Sequence, residues 1–293
     1  MVFPLPAGGE FIIKKFLYLL VLLMLILLEY ISVGCGLQAP APKPEVRRVA
    51  EQVSVEGQPV GNMTKEEAGK VLINLAKAKD VPAVNAGFAA DSGEIIPERP
   101  GRRLNREVTL EEILAAQPGS NVKAVYQTFL PDITKEKLLQ SRNLGSYTTP
   151  ILDNSPGRLA NIRLTGRLIN NIVLEPGQEF SFNDLTGEPT IVRGFQPATI
   201  FNDSGNKEEG LGGGMCQVSS TLYNAVLAAK LKVTERHPHS RPVNYVPPDR
   251  DATTYTDKDF RFVNTARQRL ISRVFTDQAG TILTVELWGL PGA

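Results

Sequence analysis

Behind Gly212-Gly213-Gly214, apolar residues recur at three- and four-residue steps: Val218, Leu222, Ala225, Val226 and Ala229. This spacing predicts a helix that begins at or beside Cys216. An earlier stretch repeats the pattern. Ala68, Val71, Leu72 and Leu75 share one helical face, and Thr64 with Glu67 forms a capping box before them, so a helix is expected to run to about Asp80. Thr109 with Glu112 offers the same device ahead of Ile113 and Leu114. Between these two, residues 86–88 and 93–97 read as short strands around a turn, and residues 122–130 as a longer strand.

Further along, Leu159, Ile162 and Ile169 interleave with Arg158, Arg163 and Arg167, which suits a helix whose basic face is outward. Pro176-Gly177 then turns into the alternating Phe180-Ser181-Phe182-Asn183. Three more strands are expected over 259–264, 270–275 and 281–288. In the last, Leu283, Val285 and Leu287 face one way while Ile282, Thr284 and Glu286 face the other, and residues 277–280 supply the turn before it. The pattern describes an α+β chain. A small N-terminal α+β module is expected over 60–145, and a second α+β module over 146–293, with an antiparallel sheet and a helix starting at the cysteine.

The N-terminus changes the picture. Lys14-Lys15 is followed by an uninterrupted apolar run over residues 16–28, short for a membrane span but right for the core of an export signal. Gly34-Cys35 resembles the end of a bacterial lipoprotein signal, in which the cysteine is acylated, although Ser32 stands where such signals usually carry leucine. Residues 1–35 are therefore expected to be a lipoprotein-type signal lipidated at Cys35, or else an uncleaved helical anchor. Either one places the rest of the chain outside the cell, on the outer face of the cytoplasmic membrane. The proline-rich stretch Ala39-Pro40-Ala41-Pro42-Lys43-Pro44 suggests a tether over 36–59.

Composition removes several function classes. Of 293 residues 42% are hydrophobic, enough to fill real cores, and 32 basic against 31 acidic residues leave a net charge of +1. With no basic stripe interleaved with aromatics, nucleic acid is not an expected partner. Two cysteines in all rule out a disulfide framework unless Cys35 meets Cys216.

A thiol at a helix N-terminus meets unpaired N–H groups and the positive end of the macrodipole, both of which favour the thiolate. The chain's two histidines, His237 and His239, lie in one tetrapeptide soon after. Cys216 as nucleophile, His237 or His239 as base, Asp251 (or Glu235) as the group that orients the imidazole, and backbone amides of Gly213, Gly214 and Gln217 for an oxyanion would form an acyl-transfer set. Alternation along a strand would put both rings on one face, but Pro238 disrupts it, and His239 is slightly favoured as base. Arg236, Arg241, Tyr223 and Asn224 stand beside this set as candidate substrate contacts. Cys216, His237, His239 and Asp251 would also make a legitimate zinc ligand set, yet the usual ligand spacings are missing, and no metal or other cofactor is expected. The glycine run lacks the lysine and hydroxyl of a phosphate-binding loop. Ser219, Ser220 and Thr221 sit away from the helix tip and read as ordinary helix-face hydroxyls.

Phe180-Ser181-Phe182-Asn183, Gly194-Phe195-Gln196-Pro197-Ala198, Gly212-Gly213-Gly214-Met215-Cys216-Gln217-Val218-Ser219-Ser220-Thr221-Leu222-Tyr223-Asn224-Ala225, Glu235-Arg236-His237-Pro238-His239-Ser240 and Asp251-Ala252-Thr253 together resemble the VanW family. That family takes its name from an accessory protein of vancomycin B-type resistance clusters. The likeness spans about residues 147–289. Upstream, Asn62-Met63-Thr64-Lys65-Glu66-Glu67-Ala68 and the segment through Val122 resemble the peptidoglycan-binding domain that often precedes VanW domains. The resemblance implies peptidoglycan as partner and, as for some extracytoplasmic members, L,D-transpeptidase activity with Cys216 as the nucleophile. A non-catalytic wall-binding or glycopeptide-resistance accessory protein, and a cysteine peptidase or carboxypeptidase on the same stems, are the alternatives. Asp249 stands where similar proteins usually carry glycine, so the loop before Asp251 is expected to be looser or to bring an added charge.

Overall fold

The computed structural model describes residues 47–201 and 207–292. The expected signal, the anchor, Cys35 and the start of the tether lie outside the described residues.

The chain is α+β. The first module packs the helix Lys65–Lys79 against the helix Arg106–Ala115 over a core of Val49, Val53, Val55, Val60, Ala68, Leu72, Leu75 and Ile113. Thr64 caps the first helix by a reciprocal capping box with Glu67. Residues 47–59 belong to this module and not to the tether expected up to 59. Ser54–Val55 pairs with Gln58–Pro59 and with Asn121–Val122, and Val49, Val53 and Val55 are buried. The valine spacing outweighs the proline content there.

Two further local expectations fail for definable reasons. Thr109 does not cap the second helix. Asn105 does, accepting from the Val108 N–H, while Thr109 is buried inside the helix with its hydroxyl accepting from the Val125 N–H. The strand expected over 122–130 is split into Asn121–Val122 and Tyr126–Phe129, which join different partners.

The second module is built on a four-stranded antiparallel sheet in the order Arg142–Pro150, Ile282–Gly289, Leu270–Thr276, Val173–Leu174. The strand Arg142–Pro150 runs straight through the expected boundary at 145/146. The cysteine helix, Met215–Ala228, lies on this sheet and turns ten residues into the interior, among them Val218, Leu222, Ala225 and Val226. On its other side stands a three-stranded sheet, Glu179–Ser181, Arg261–Val263 and Lys232–Glu235, whose Phe180, Phe262 and neighbouring Phe260 close the core. Leu222 is 1% exposed, and truncation to alanine there costs about 2–5 kcal/mol in comparable cores. Phe182, expected in a strand, instead opens the short helix Phe182–Thr186 capped by Ser181. The hairpin of Pro197–Phe201 with Lys207–Leu211 leads into the glycine turn before Cys216.

The modules meet through a third core in which Ala86, Phe88, Ile133 and Leu138 pack on Ile271, Leu290 and Trp288. Asn170 and Asn171 hydrogen-bond the backbone of Phe88, and the Arg273 Nε donates to the carbonyl of Gly93 at 2.7 Å. Among the described residues no helix is long and apolar enough to cross a membrane.

Candidate active site

The helix that carries Cys216 starts from a turn only glycine suits. Gly214, its N-cap residue, has φ 113°, in the left-handed region. A Cβ on Gly213 would come within 2.6 Å of the Thr199 carbonyl in the hairpin strand, so the turn packs directly on backbone. Asn161, fully buried on the helix Pro156–Ile169, fixes it by donating to the carbonyls of Gly213 and Gln196 while accepting from the Gln196 N–H.

Cys216 therefore sits in the first turn, partly exposed, with no disulfide among the described residues. Its Sγ lies 3.7 Å from the Thr254 carbonyl. The packed protein around the sulfur pushes the thiol up. The interaction of the sulfur with the His239 ring, opposite in charge, together with that with Thr254, more than offsets this and holds the thiol below its ordinary pKa. The Nδ1 of His239 is 2.6 Å from the Asp251 Oδ2. Donation from Nδ1 to the carboxylate leaves Nε2 for the sulfur. Burial pushes the His239 pKa down, but the Cys216 and Asp251 contacts outweigh it and the net direction is up. Asp251 is desolvated too, yet the backbone and ring N–H groups of His239 keep its carboxyl below the usual range. Arg236 adds a second clamp, with Nη2 2.8 Å from Oδ1 and Nε donating to the Asp251 carbonyl.

The structure thus brings Cys216, His239 and Asp251 together, with His239 hydrogen-bonded to Asp251 and its charge acting on the sulfur, and leaves His237 out. The His237 Nε2 is 2.9 Å from the Glu235 Oε1, in a surface cluster with Arg261. The two histidines part because regular strand pairing ends at Glu235 after a register shift, and Pro238 has no N–H to extend it. His237 keeps one bridge to Thr253, while His239 turns toward the helix tip.

The remaining candidates divide in the same way. The Gln217 N–H is spent on the Gly214 carbonyl and its side chain is buried, so it does not serve an oxyanion. The N–H groups of Gly213, Gly214 and Cys216 have no backbone acceptor among the described residues. Asn224 is buried, donating to the carbonyls of Ser220 and Arg250. It is a staple and not a substrate contact. Tyr223 packs edge-on against Phe260 beneath Arg236, and Arg241 is exposed. Ser219 and Ser220 bond the Ala252 backbone, which ties the loop carrying Asp251 to the cysteine helix.

Three neighbours of the site carried little sequence signal. Thr254 backs the sulfur. Burial, followed by the charge of Cys216, pushes the Tyr245 phenol up. Arg158, expected on an outward basic face, is half-buried, with Nη2 3.0 Å from the Gln217 Oε1. Of the three arginines on that helix only Arg167 is exposed.

A family model described as "VanW like protein" matches residues 157–288, and one described as "Putative peptidoglycan binding domain" matches residues 42–124. The chain is 37% identical over 201 residues to "Uncharacterized protein YoaR" of Bacillus subtilis (strain 168), an alignment that covers 67% of this chain and 66% of that relative's length. No solved structure matches the chain.

Proposed function

The chain belongs to the VanW family and carries a peptidoglycan-binding domain that ties it to the cell wall, and from that premise we propose that it is a cysteine acyltransferase of peptidoglycan, an L,D-transpeptidase in type. The observation that carries this reading is the line from Cys216 to His239 to Asp251 at a helix N-terminus. We place the reaction outside the cytoplasmic membrane, with the N-terminal segment as anchor.

In the first half-reaction the Cys216 thiolate attacks the carbonyl of the third stem residue. Negative charge gathers on the carbonyl oxygen, where the free amides of the glycine turn and of Cys216 can meet it. Collapse of the tetrahedral intermediate breaks the peptide bond, and the His239 imidazolium gives its proton to the departing amine of the terminal residue, leaving a thioester and a neutral ring. In the second half, His239 takes a proton from the acceptor amine of a neighbouring stem as that nitrogen attacks the thioester, and the thiolate is released. Asp251 holds the ring in the tautomer both halves require.

The test is direct. The full chain, incubated with tetrapeptide-stem muropeptides, should give 3-3 crosslinked dimers by mass spectrometry, and Cys216→Ala should give none. Equal product from the variant and the parent would remove the proposal. Shortened monomer in place of dimer would show water as the acceptor and turn the reading to a carboxypeptidase.

A further inference from the structure

Beside the glycine turn that leads into Cys216 the structure holds a cation that no carboxylate among the described residues pairs with. Arg158 is half-buried on the helix Pro156–Ile169, and its one hydrogen-bond acceptor among the described residues is the neutral Oε1 of Gln217. Gln217 is itself fixed, 1% exposed, with Nε2 donating to the Thr149 hydroxyl at 3.1 Å and to the Pro150 carbonyl at 2.9 Å. The Nε of Arg158 is buried with no partner at all among the described residues. A guanidinium drawn partly out of water and left with one neutral partner is a poor arrangement for stability alone, since such groups are usually paired.

Its position explains what the charge is for. The main-chain oxygen and Cγ of Arg158 lie against Gly214, within 3.2 Å and 3.4 Å of where a Cβ would be, so the residue runs along the turn that presents Cys216. The charges of both Cys216 and Arg158 act on the Tyr245 phenol. The cation therefore stands beside the glycine turn that presents Cys216, held against the residue that follows it.

Resting on the acyl-transfer reading above, we propose that Arg158 is the recognition group for the free C-terminal carboxylate of the donor peptide, so that the site accepts stems by their C-terminus and attacks the carbonyl one residue in. The planar fork of guanidinium matches a carboxylate with two parallel hydrogen bonds, and Gln217 sets the plane of the fork. Loss of the terminal residue removes that carboxylate from the thioester, which clears the position before the acceptor arrives.

The experiment separates this claim from the one it rests on. Full-length Cys216→Ala, unable to turn over, is titrated with a tetrapeptide stem ending in a free carboxylate and with the same peptide ending in an amide. The acid should bind roughly tenfold tighter or more, in line with a desolvated charge pair. Adding Arg158→Gln should erase that preference, and Arg158→Lys, which keeps the charge without the fork, should retain part of it. Equal affinity for acid and amide, no measurable binding of either, or an intact preference in Arg158→Gln overturns the assignment. Intact-mass detection of a thioester on Cys216 of the parent reports on acyl transfer separately. A thioester formed equally well from both peptides would leave that reading standing and sink the role of Arg158.

Discussion

Two histidines two residues apart end in opposite surroundings. His237 lies on the rim of the three-stranded sheet with its side chain 36% exposed, paired to Glu235 at the surface. His239 is 12% exposed, between a thiol and a carboxylate. Residue type and chain neighbourhood are the same, so neither decides the role. The partner decides it: Glu235 is two residues away along the chain, at the end of its strand, whereas Asp251 arrives on a loop that Ser219, Ser220 and Asn224 fasten to the cysteine helix. A base in this fold is made by what the helix holds opposite it.

The sharpest way to break the comparison is to exchange each ring for an amide. His239→Asn should lower acyl transfer by about 10²–10⁴-fold, the usual range for removing a positioned acid–base group. It should also return the thiol toward its ordinary pKa, so that the iodoacetamide labelling profile of Cys216 moves to higher pH. His237→Asn should leave both readouts within about twofold of the parent, because exposed ion pairs contribute little. A profile that shifts equally in the two variants would mean the rings share the sulfur.

A second, smaller contrast sets Asp251 against Glu235. Both carboxyls are held below the usual carboxylate range, Asp251 by the N–H groups of His239 against its own burial, Glu235 chiefly by His237. A depressed carboxylate contributes stability that is present above its unfolded pKa of about 3.9 for Asp and is lost as pH falls through the folded value. Urea denaturation from pH 3 to 8 should show Asp251→Asn less stable by about 1–3 kcal/mol near pH 7, the cost of disturbing buried charge-assisted hydrogen bonds. That difference should shrink below about pH 4. His239 carries the opposite sign: its pKa is raised, so its own contribution is full below about pH 6.5 and fades as pH rises through the folded value. Glu235→Gln should change stability by less than about 1 kcal/mol throughout. A difference for Asp251→Asn that stays flat down to pH 3 would assign it to packing and not to charge.

Much of this was legible in the residues and some was not, for physical reasons. The cysteine helix and the strand Ile282–Gly289 could be read because each buries one face, which writes a 3.6- or 2-residue period into the chain. Cys216, His239 and Asp251 could be proposed as a set because their chemistry is rare here, with two histidines in the whole sequence. Arg158 could not be placed, since a half-buried arginine on a helix has the same spacing as a solvated one. Tyr245 was equally silent inside a proline-rich loop. The split of residues 121–129 into two strands depends on partners far away in sequence, which periodicity does not encode.

The smallest expected effect concerns the loop that delivers Asp251. The Arg250 N–H donates to the Pro247 carbonyl at 3.2 Å, and Asp249 has φ 60°. A turn with proline second and a left-handed residue third is the kind that prefers glycine at the third place, which is consistent with the glycine that the family resemblance led one to expect there. The turn is kept here despite the aspartate, and not loosened as the sequence suggested, because aspartate tolerates the left-handed region better than most residues. Asp249→Gly relieves that strain but gives the unfolded chain more freedom, and the two terms nearly cancel. Stability should rise by no more than about 1 kcal/mol. Asp249 is not among the groups named as holding Cys216, His239 or Asp251 at their shifted ionisation, so the labelling profile of Cys216 should be unchanged. A profile displaced by this substitution would show that the loop's charge, and not only its shape, reaches the histidine that Asp251 selects.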